Sequence, residues 1–159
     1  MDKEESIAYA KKFIEDILSF FGLNTDVKVT CDDEVIELSV PSTHLNGFLI
    51  GQRGDTLRAL QQLLSTTMKN KNAFIHRVNL DIADYKRQRY DRLVEQVDDW
   101  IKQVRDTKEP YHLQPMNAAE RRVVHQAVTD YSDIVTLSEG EGRDRHIVLS
   151  FRSETTEEE

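Results

Sequence analysis

Gly51, Gln52, Arg53 and Gly54 combine residue types and a spacing that suit contact with a phosphodiester backbone. Two glycines three apart let the chain come close to a partner, and the residues between them supply an amide and a charge. The helical pattern that opens at Asp55 would point free N–H groups and a partial positive charge at the same place, so phosphate is the natural ligand. Arg58, four residues past Gly54, is within reach of the same point. A second pair, Arg121 and His125, stands at i and i+4 on a helix expected over 117–130. With Val124 at the middle of that helix's buried face, a 100° step puts Arg121 about 60° and His125 about 100° from it. From this shoulder both can meet phosphate while their stems pack, and Arg122 lies farther toward solvent. Arg143 and Arg145, at the entry of the last expected strand, are further phosphate candidates, as is a helix flank carrying Lys86, Arg89 and Arg92 at intervals of three, with Arg87 nearby.

Phosphodiester cleavage is the competing chemistry, with His125 as general acid or base and Arg121 on the phosphate. It needs a second acid–base group or a metal. His112, His125 and His146 are scattered along the sequence, no Cys/His ligand spacing occurs, and Asp98 and Asp99 fall on successive helical positions that do not share a face. A Walker loop is absent, which argues against nucleotide hydrolysis. The expectation is therefore a binder rather than an enzyme, with no catalytic residue, no metal and no cofactor. Cys31, the single cysteine, follows a strand-like run beside Asp32, Asp33 and Glu34, whose charges disfavour a thiolate; it is read as structural and as compatible with a reducing compartment.

A net charge of −8 over 159 residues argues at first against a nucleic-acid partner. Its distribution reverses the argument. Residues 1–49 hold 4 Lys/Arg against 10 Asp/Glu, residues 50–92 hold 9 against 4, and residues 93–159 hold 8 against 15. The one positive block starts at the glycine loop, and surface potential follows charges within about a Debye length, ~8 Å in physiological salt. With 38% apolar and 31% charged residues the chain can build one fair core or two small ones. No apolar run reaches the length of a membrane span, so no membrane insertion is expected, and the polar start Met1–Glu5 without a hydrophobic signal region predicts a cytoplasmic protein.

The elements that must position these residues follow from periodicity. Ile7, Ala10, Ile14, Ile17, Leu18 and Phe21 predict a helix over 3–21 stopped by Gly22. Phe13 and Phe20 fall partly off that stripe, and burial under the sheet is expected for them. Strands are expected at 27–31 and 35–40, then a short helix capped by Ser42 and running to Leu49, the glycine loop, a helix carrying Leu57, Leu60, Leu63, Leu64 and Met68, and a strand over 74–82. Ile50, Leu57 and Leu60 are candidates for an apolar floor beneath bases, with core packing the main job expected of the leucines. A long helix over 84–107 carries an apolar stripe at Tyr90, Leu93, Val94, Val97, Ile101 and Val104. Pro110 and Pro115 bracket an extended piece, Asn117 with Glu120 makes a capping box, and two strands, 134–137 and 146–151, are joined by a turn over 139–142. The tail, rich in glutamate, is expected to be disordered and to compete with an anionic ligand. The fold class is α+β in two parts.

A glycine loop between two helices flanked by strands resembles the KH module, whose G-x-x-G loop clamps about four nucleotides. The likeness extends along the chain. Leu49–Leu57 around the loop, Leu80-Asp81-Ile82 with Tyr85-Lys86-Arg87-Gln88-Arg89, Leu113–Asn117, and Glu120–His125 resemble, block by block, the bacterial Jag proteins. That resemblance implies a type II KH domain (αββααβ) over 1–83, a connecting helix over 84–107, an Arg-x-x-x-His (R-3-H) domain over 108–152 and an acidic tail over 153–159. It implies a cytoplasmic binder of single-stranded RNA, with single-stranded DNA as a further ligand, tied to cell elongation and envelope growth and acting as an RNA chaperone or post-transcriptional regulator. A small KH-only protein or a second copy is the implied partner. Gly51, Gln52, Arg53 and Gly54 match the KH loop, and Arg121 and His125 the second motif. Two departures are expected to matter. The additional N-terminal domain and basic linker of many members are not seen here, and Gln52 stands where a second basic residue is common. A protein-interaction adaptor is the alternative reading.

Overall fold

A computed structural model describes residues 1–152; the acidic tail, 153–159, lies outside the described residues, and with it the expectation of disorder. The chain divides into two compact units, 1–86 and 87–159.

The first unit runs α1 (Lys3–Phe20), β1 (Lys28–Cys31), β2 (Val35–Val40), α2 (Asn46–Ile50), a 3-10 turn (Gln52–Gly54), α3 (Asp55–Asn70) and β3 (Arg77–Ile82). This is the αββααβ order expected from the resemblance. Asp2 opens α1 through a capping box with Glu5, and Ser6, fully buried, donates to the Asp2 carbonyl at 2.6 Å while its oxygen accepts from Phe74 N–H at 3.1 Å. The start of the chain is thereby tied to the segment entering β3. The sheet order is β1-β2-β3, with β1 antiparallel and β3 parallel to β2, Leu38 opposite Leu80. Parallel neighbours need a crossover, and α2, the loop and α3 form it, so the glycine loop is built into the connection between the central strand β2 and the edge strand β3. Ala10, Ile14 and Leu18 of α1 and Leu57, Leu64 and Met68 of α3 cover the sheet with nearly no exposure. Each of these side chains larger than Ala10 contributes about 1.5–3 kcal/mol by leaving water.

Three expectations are corrected here. Ser42 does not cap α2: the helix starts at Asn46 behind Leu45, and the Ser42 oxygen accepts from the Asn46 side chain at 2.8 Å, because Asn46 folds back to bond Thr43 N–H as well. The third strand begins at Arg77 rather than Phe74, whose N–H is taken by Ser6 and Met1. Phe20 is 88% exposed instead of buried, since it sits on the last turn of α1 beyond the reach of the sheet.

The second unit comprises α4 (Tyr85–Thr107), which begins at the end of the first, β4 (Tyr111–His112), α5 (Ala118–Val128), β5 (Ile134–Glu139), a 3-10 turn (Gly142–Asp144) and β6 (His146–Phe151). Its sheet has the order β4-β6-β5, all antiparallel. Leu93, Val97, Ile101 and Val104 of α4 pack with Val124 and Val128 of α5 against Ile134, Ile147 and Leu149. Tyr90 and Val94, expected on the α4 stripe, are exposed, because the stripe keeps to every third or fourth residue from Leu93. The Asn117–Glu120 capping box is present, and α5 ends at Val128, two residues short of the expected 130. No helix among the described residues is long and apolar enough to cross a membrane.

Candidate nucleic-acid interface

The glycine loop owes its shape to three positive φ angles in four residues: Gly51 at 73°, Arg53 at 54° and Gly54 at 77°. Gly51 also has ψ −176°, a region closed to side-chain-bearing residues. A Cβ there would stand 2.9 Å from the Thr56 Cβ and backbone nitrogen, and one on Gly54 would stand 2.9 Å from the Tyr85 ring. Both glycines are therefore required by crowding as well as by φ. Gly54 is the N-cap of α3 with no side-chain cap, and of the first-turn N–H groups that of Asp55 donates to the Gln52 carbonyl.

Arg58 organises this turn. Its guanidinium donates to the Arg53 carbonyl at 3.0 Å and pairs with the Asp55 carboxylate. The pair offsets the Arg58 charge, and Gln52 and Arg53 are both exposed. Of the proposed apolar floor, Leu57 is 2% exposed and belongs to the core, the main job expected of the leucines, while Ile50 and Leu60 are half-buried at its edge.

The basic flank of α4 is also corrected. Lys86 turns its ammonium onto Asn79 Oδ1 and onto Gln61 Oε1 at 3.2 Å, and burial of that ammonium lowers its pKa against the opposing pull of Asp81 and Glu37. Arg89 Nε is 2.9 Å from a carboxylate oxygen of Glu120, whose side chain is only 8% exposed. Arg92 remains exposed. The periodicity at three is real, but two of its three cations serve internal carboxylate or amide partners, which one helix's spacing cannot reveal because those partners lie on other elements. Glu120 is the residue most underread from sequence. It completes the α5 capping box and neutralises Arg89 at once.

On α5 the burial order follows the 100° step: Val124 buried, Arg121 and His125 half-buried, Arg122 exposed. Arg121 Nη1 donates to the Met116 carbonyl at 2.6 Å, fixing the guanidinium beside the N-terminus of α5. His125 Nδ1 lies 2.5 Å from Thr136 Oγ1 on β5. Desolvation, and after it the Arg121 charge, lowers the His125 pKa, so the ring is neutral at pH 7. A Thr136 hydroxyl that donates to Nδ1 puts the ring proton on Nε2, from where it can donate to an anion. Arg145 Nε donates to Ser138 Oγ at 3.0 Å, and Arg143 is exposed on the turn before β6.

The expectation that the histidines are scattered is overturned for two of them. His112 on β4 and His146 on β6 bring ring nitrogens to 3.0 Å, because β4 pairs with β6 although 34 residues separate them. His125 is not part of this group. A two-residue strand flanked by prolines gives no periodic signal, so the pairing was not legible.

Comparison with known proteins agrees with this architecture. Residues 11–82 match the family model described as the KhpA/KhpB KH domain, and residues 91–151 match that of the R-3-H domain. Over 146 residues the chain is 32% identical to the RNA-binding protein KhpB of Clostridium symbiosum, covering 91% of this chain and 66% of that one. It is 29% identical over 154 residues to the RNA-binding protein KhpB of Bacillus subtilis, covering 96% and 74%. It is 24% identical over 148 residues to the protein of that name from Streptococcus pneumoniae, covering 91% and 43%. The chain thus spans from under half to about three quarters of the length of these relatives. With a KH unit followed by an R-3-H unit in matching order, the chain belongs to the KhpB, or Jag, family.

Proposed function

We propose that this protein binds single-stranded RNA through two separate anion-recognising sites, without chemical turnover. The observation that carries the reading is the loop Gly51–Gly54, whose positive φ angles bring backbone and Arg53 to the uncapped start of α3. The phosphodiester backbone is the ligand that such a loop fits, and bases splayed from it can rest on Ile50 and Leu60. Arg121 and His125 form the second site, with Arg122 and Arg143 adding exposed charge. Two modest sites on one chain gain through effective concentration. The relatives' names as RNA-binding proteins support the class of ligand. Finer roles, in RNA chaperoning or post-transcriptional control of cell elongation in the cytoplasm, with a small KH-only partner, are proposals by resemblance.

Fluorescence anisotropy with single-stranded and duplex RNA of one sequence tests this reading. Tighter binding of the single strand, weakening steeply with salt, is expected; no binding at low salt overturns it. Incubation of labelled RNA with protein and magnesium should leave the RNA intact. Single-stranded DNA is expected to bind as well, since phosphate contacts do not read the sugar.

One observation favours an adaptor role beside RNA binding. Phe21 and Phe48 stack edge-on with centroids 5.0 Å apart and remain 44% and 58% exposed, next to the more exposed Phe20. Exposed aromatic surface of this kind suits a protein contact. Light scattering of the native chain and of Phe20→Ser/Phe48→Ser reports whether a second copy binds there.

A further inference from the structure

His112, His146 and Glu139 stand together on the R-3-H unit and take no part in the RNA-binding reading. They come from three strands. Glu139 is the register partner of His146 across β5 and β6, and His112 is opposite Val148, two residues along β6 from His146, so all three side chains leave the same face of the sheet. Along β5 the inward positions are Ile134, Thr136 and Ser138, and the outward ones Val135, Leu137 and Glu139. The cluster is on the outward face, whereas His125 reaches Thr136 on the inward face. One ligand-type atom from each of the three residues lies within 4.8 Å of the others.

The hydrogen bonding around the pair orients nitrogen lone pairs. His146 Nδ1 lies 2.8 Å from the Asp144 carbonyl oxygen, an acceptor only, so Nδ1 carries the proton and Nε2 is left bare. That bare Nε2 is the atom 3.0 Å from His112 Nδ1. A ring N–H held by a backbone carbonyl while the other nitrogen is bare is the arrangement that orients metal-ligating histidines. Two nitrogens bound at ~2.05 Å in a tetrahedron are about 3.3 Å apart, close to the spacing found here, and a shift of the His112 proton to Nε2 frees its Nδ1 for the same purpose.

We propose that His112 Nδ1, His146 Nε2 and a Glu139 carboxylate oxygen form a binding site for a divalent transition metal of the zinc class, with a water at the fourth position. Two imidazoles and one carboxylate are a borderline donor set that favours Zn²⁺, Co²⁺, Ni²⁺ or Cu²⁺ over Mg²⁺ and Ca²⁺, which take oxygen. Bound there, the ion links β4 and β5 across β6. That tie matters most for β4, which holds β6 through two register pairs only.

The test is titration of the full chain, carrying no polyhistidine tag and with no RNA present, with ZnCl₂ in a calorimeter, beside thermal unfolding with and without zinc. One ion per chain and a raised Tm are expected. His112→Ala, His146→Ala and Glu139→Gln should each weaken binding about tenfold or more, and His44→Ala, His76→Ala and His125→Ala should leave it unchanged. Cobalt should give the intense visible absorption of a tetrahedral site. Imidazole NMR of the native chain needs no variant: zinc should move the His112 and His146 signals and leave those of His44, His76 and His125. Absence of stoichiometric zinc binding, equal binding by the His112→Ala/His146→Ala double variant, or shifts confined to the other histidines would each overturn the proposal.

Discussion

At the residue scale, the loop glycines and Glu120 answer to different forces. Gly51 occupies a backbone region closed to other residues and is crowded by Thr56, so Gly51→Ala should cost about 2 kcal/mol or more, read from urea denaturation. The two glycines were legible from spacing; the Thr56 and Tyr85 contacts that enforce them were not, since sequence does not say what lies over a turn. Arg89→Met would leave the Glu120 carboxylate buried with only its capping bond to Asn117 N–H. A loss of about 2–3 kcal/mol is expected, less than for a fully buried pair because Arg89 is one-quarter exposed. His125 gives a pH signature. Its folded pKa is below 6.5, so above 6.5 the ring is neutral in folded and unfolded chains and its contribution is complete. As pH falls below 6.5 the unfolded chain takes up the proton first, and stability is lost down to the folded pKa. His125→Gln should flatten that part of the urea midpoint against pH; an unchanged slope would mean that the Thr136 pocket does not disfavour the charged ring.

At the element scale, strong periodicities were readable and short or tertiary-determined elements were not. The helices α1, α3, α4 and α5 follow from apolar spacing and caps, and the Asn117–Glu120 box was visible as a pair of residue types three apart. Asn117→Ala should lower stability by about 1 kcal/mol, measured by chemical denaturation, while Ser42→Ala should change little because Ser42 caps nothing. The parallel pairing of β2 with β3 and the β4-β6-β5 order are set by tertiary packing, and they decide where the site residues meet. The parallel pairing sends the chain through α2 and α3 and thereby places the glycine loop at a helix start. The other order gathers His112 and His146, which sequence spacing left apart. Arg121 and His125 were legible because a single helix carries both; Thr136, the partner of His125 across on β5, was not.

At the scale of the whole molecule, charge distribution carries the account. An acidic chain can recognise a polyanion when its positive charge is gathered in residues 50–92, yet internal partners claim part of that block: Arg58 pairs with Asp55, Arg89 with Glu120, and Lys86 is turned inward. With these cations engaged internally, modest affinity is expected. Arg53→Ala should reduce the slope of log K against log salt by about 0.7 for a lost single-strand contact. The central claim is that both units touch the same RNA. Anisotropy titrations of one single-stranded RNA against the native chain, Gln52→Asp/Arg53→Asp, Arg121→Gln/His125→Gln and the four substitutions combined test it most directly, with circular dichroism checking each fold. The account predicts that each pair weakens binding about tenfold and that the combination abolishes it at physiological salt; a folded fourfold variant that binds as tightly as the native chain would contradict it.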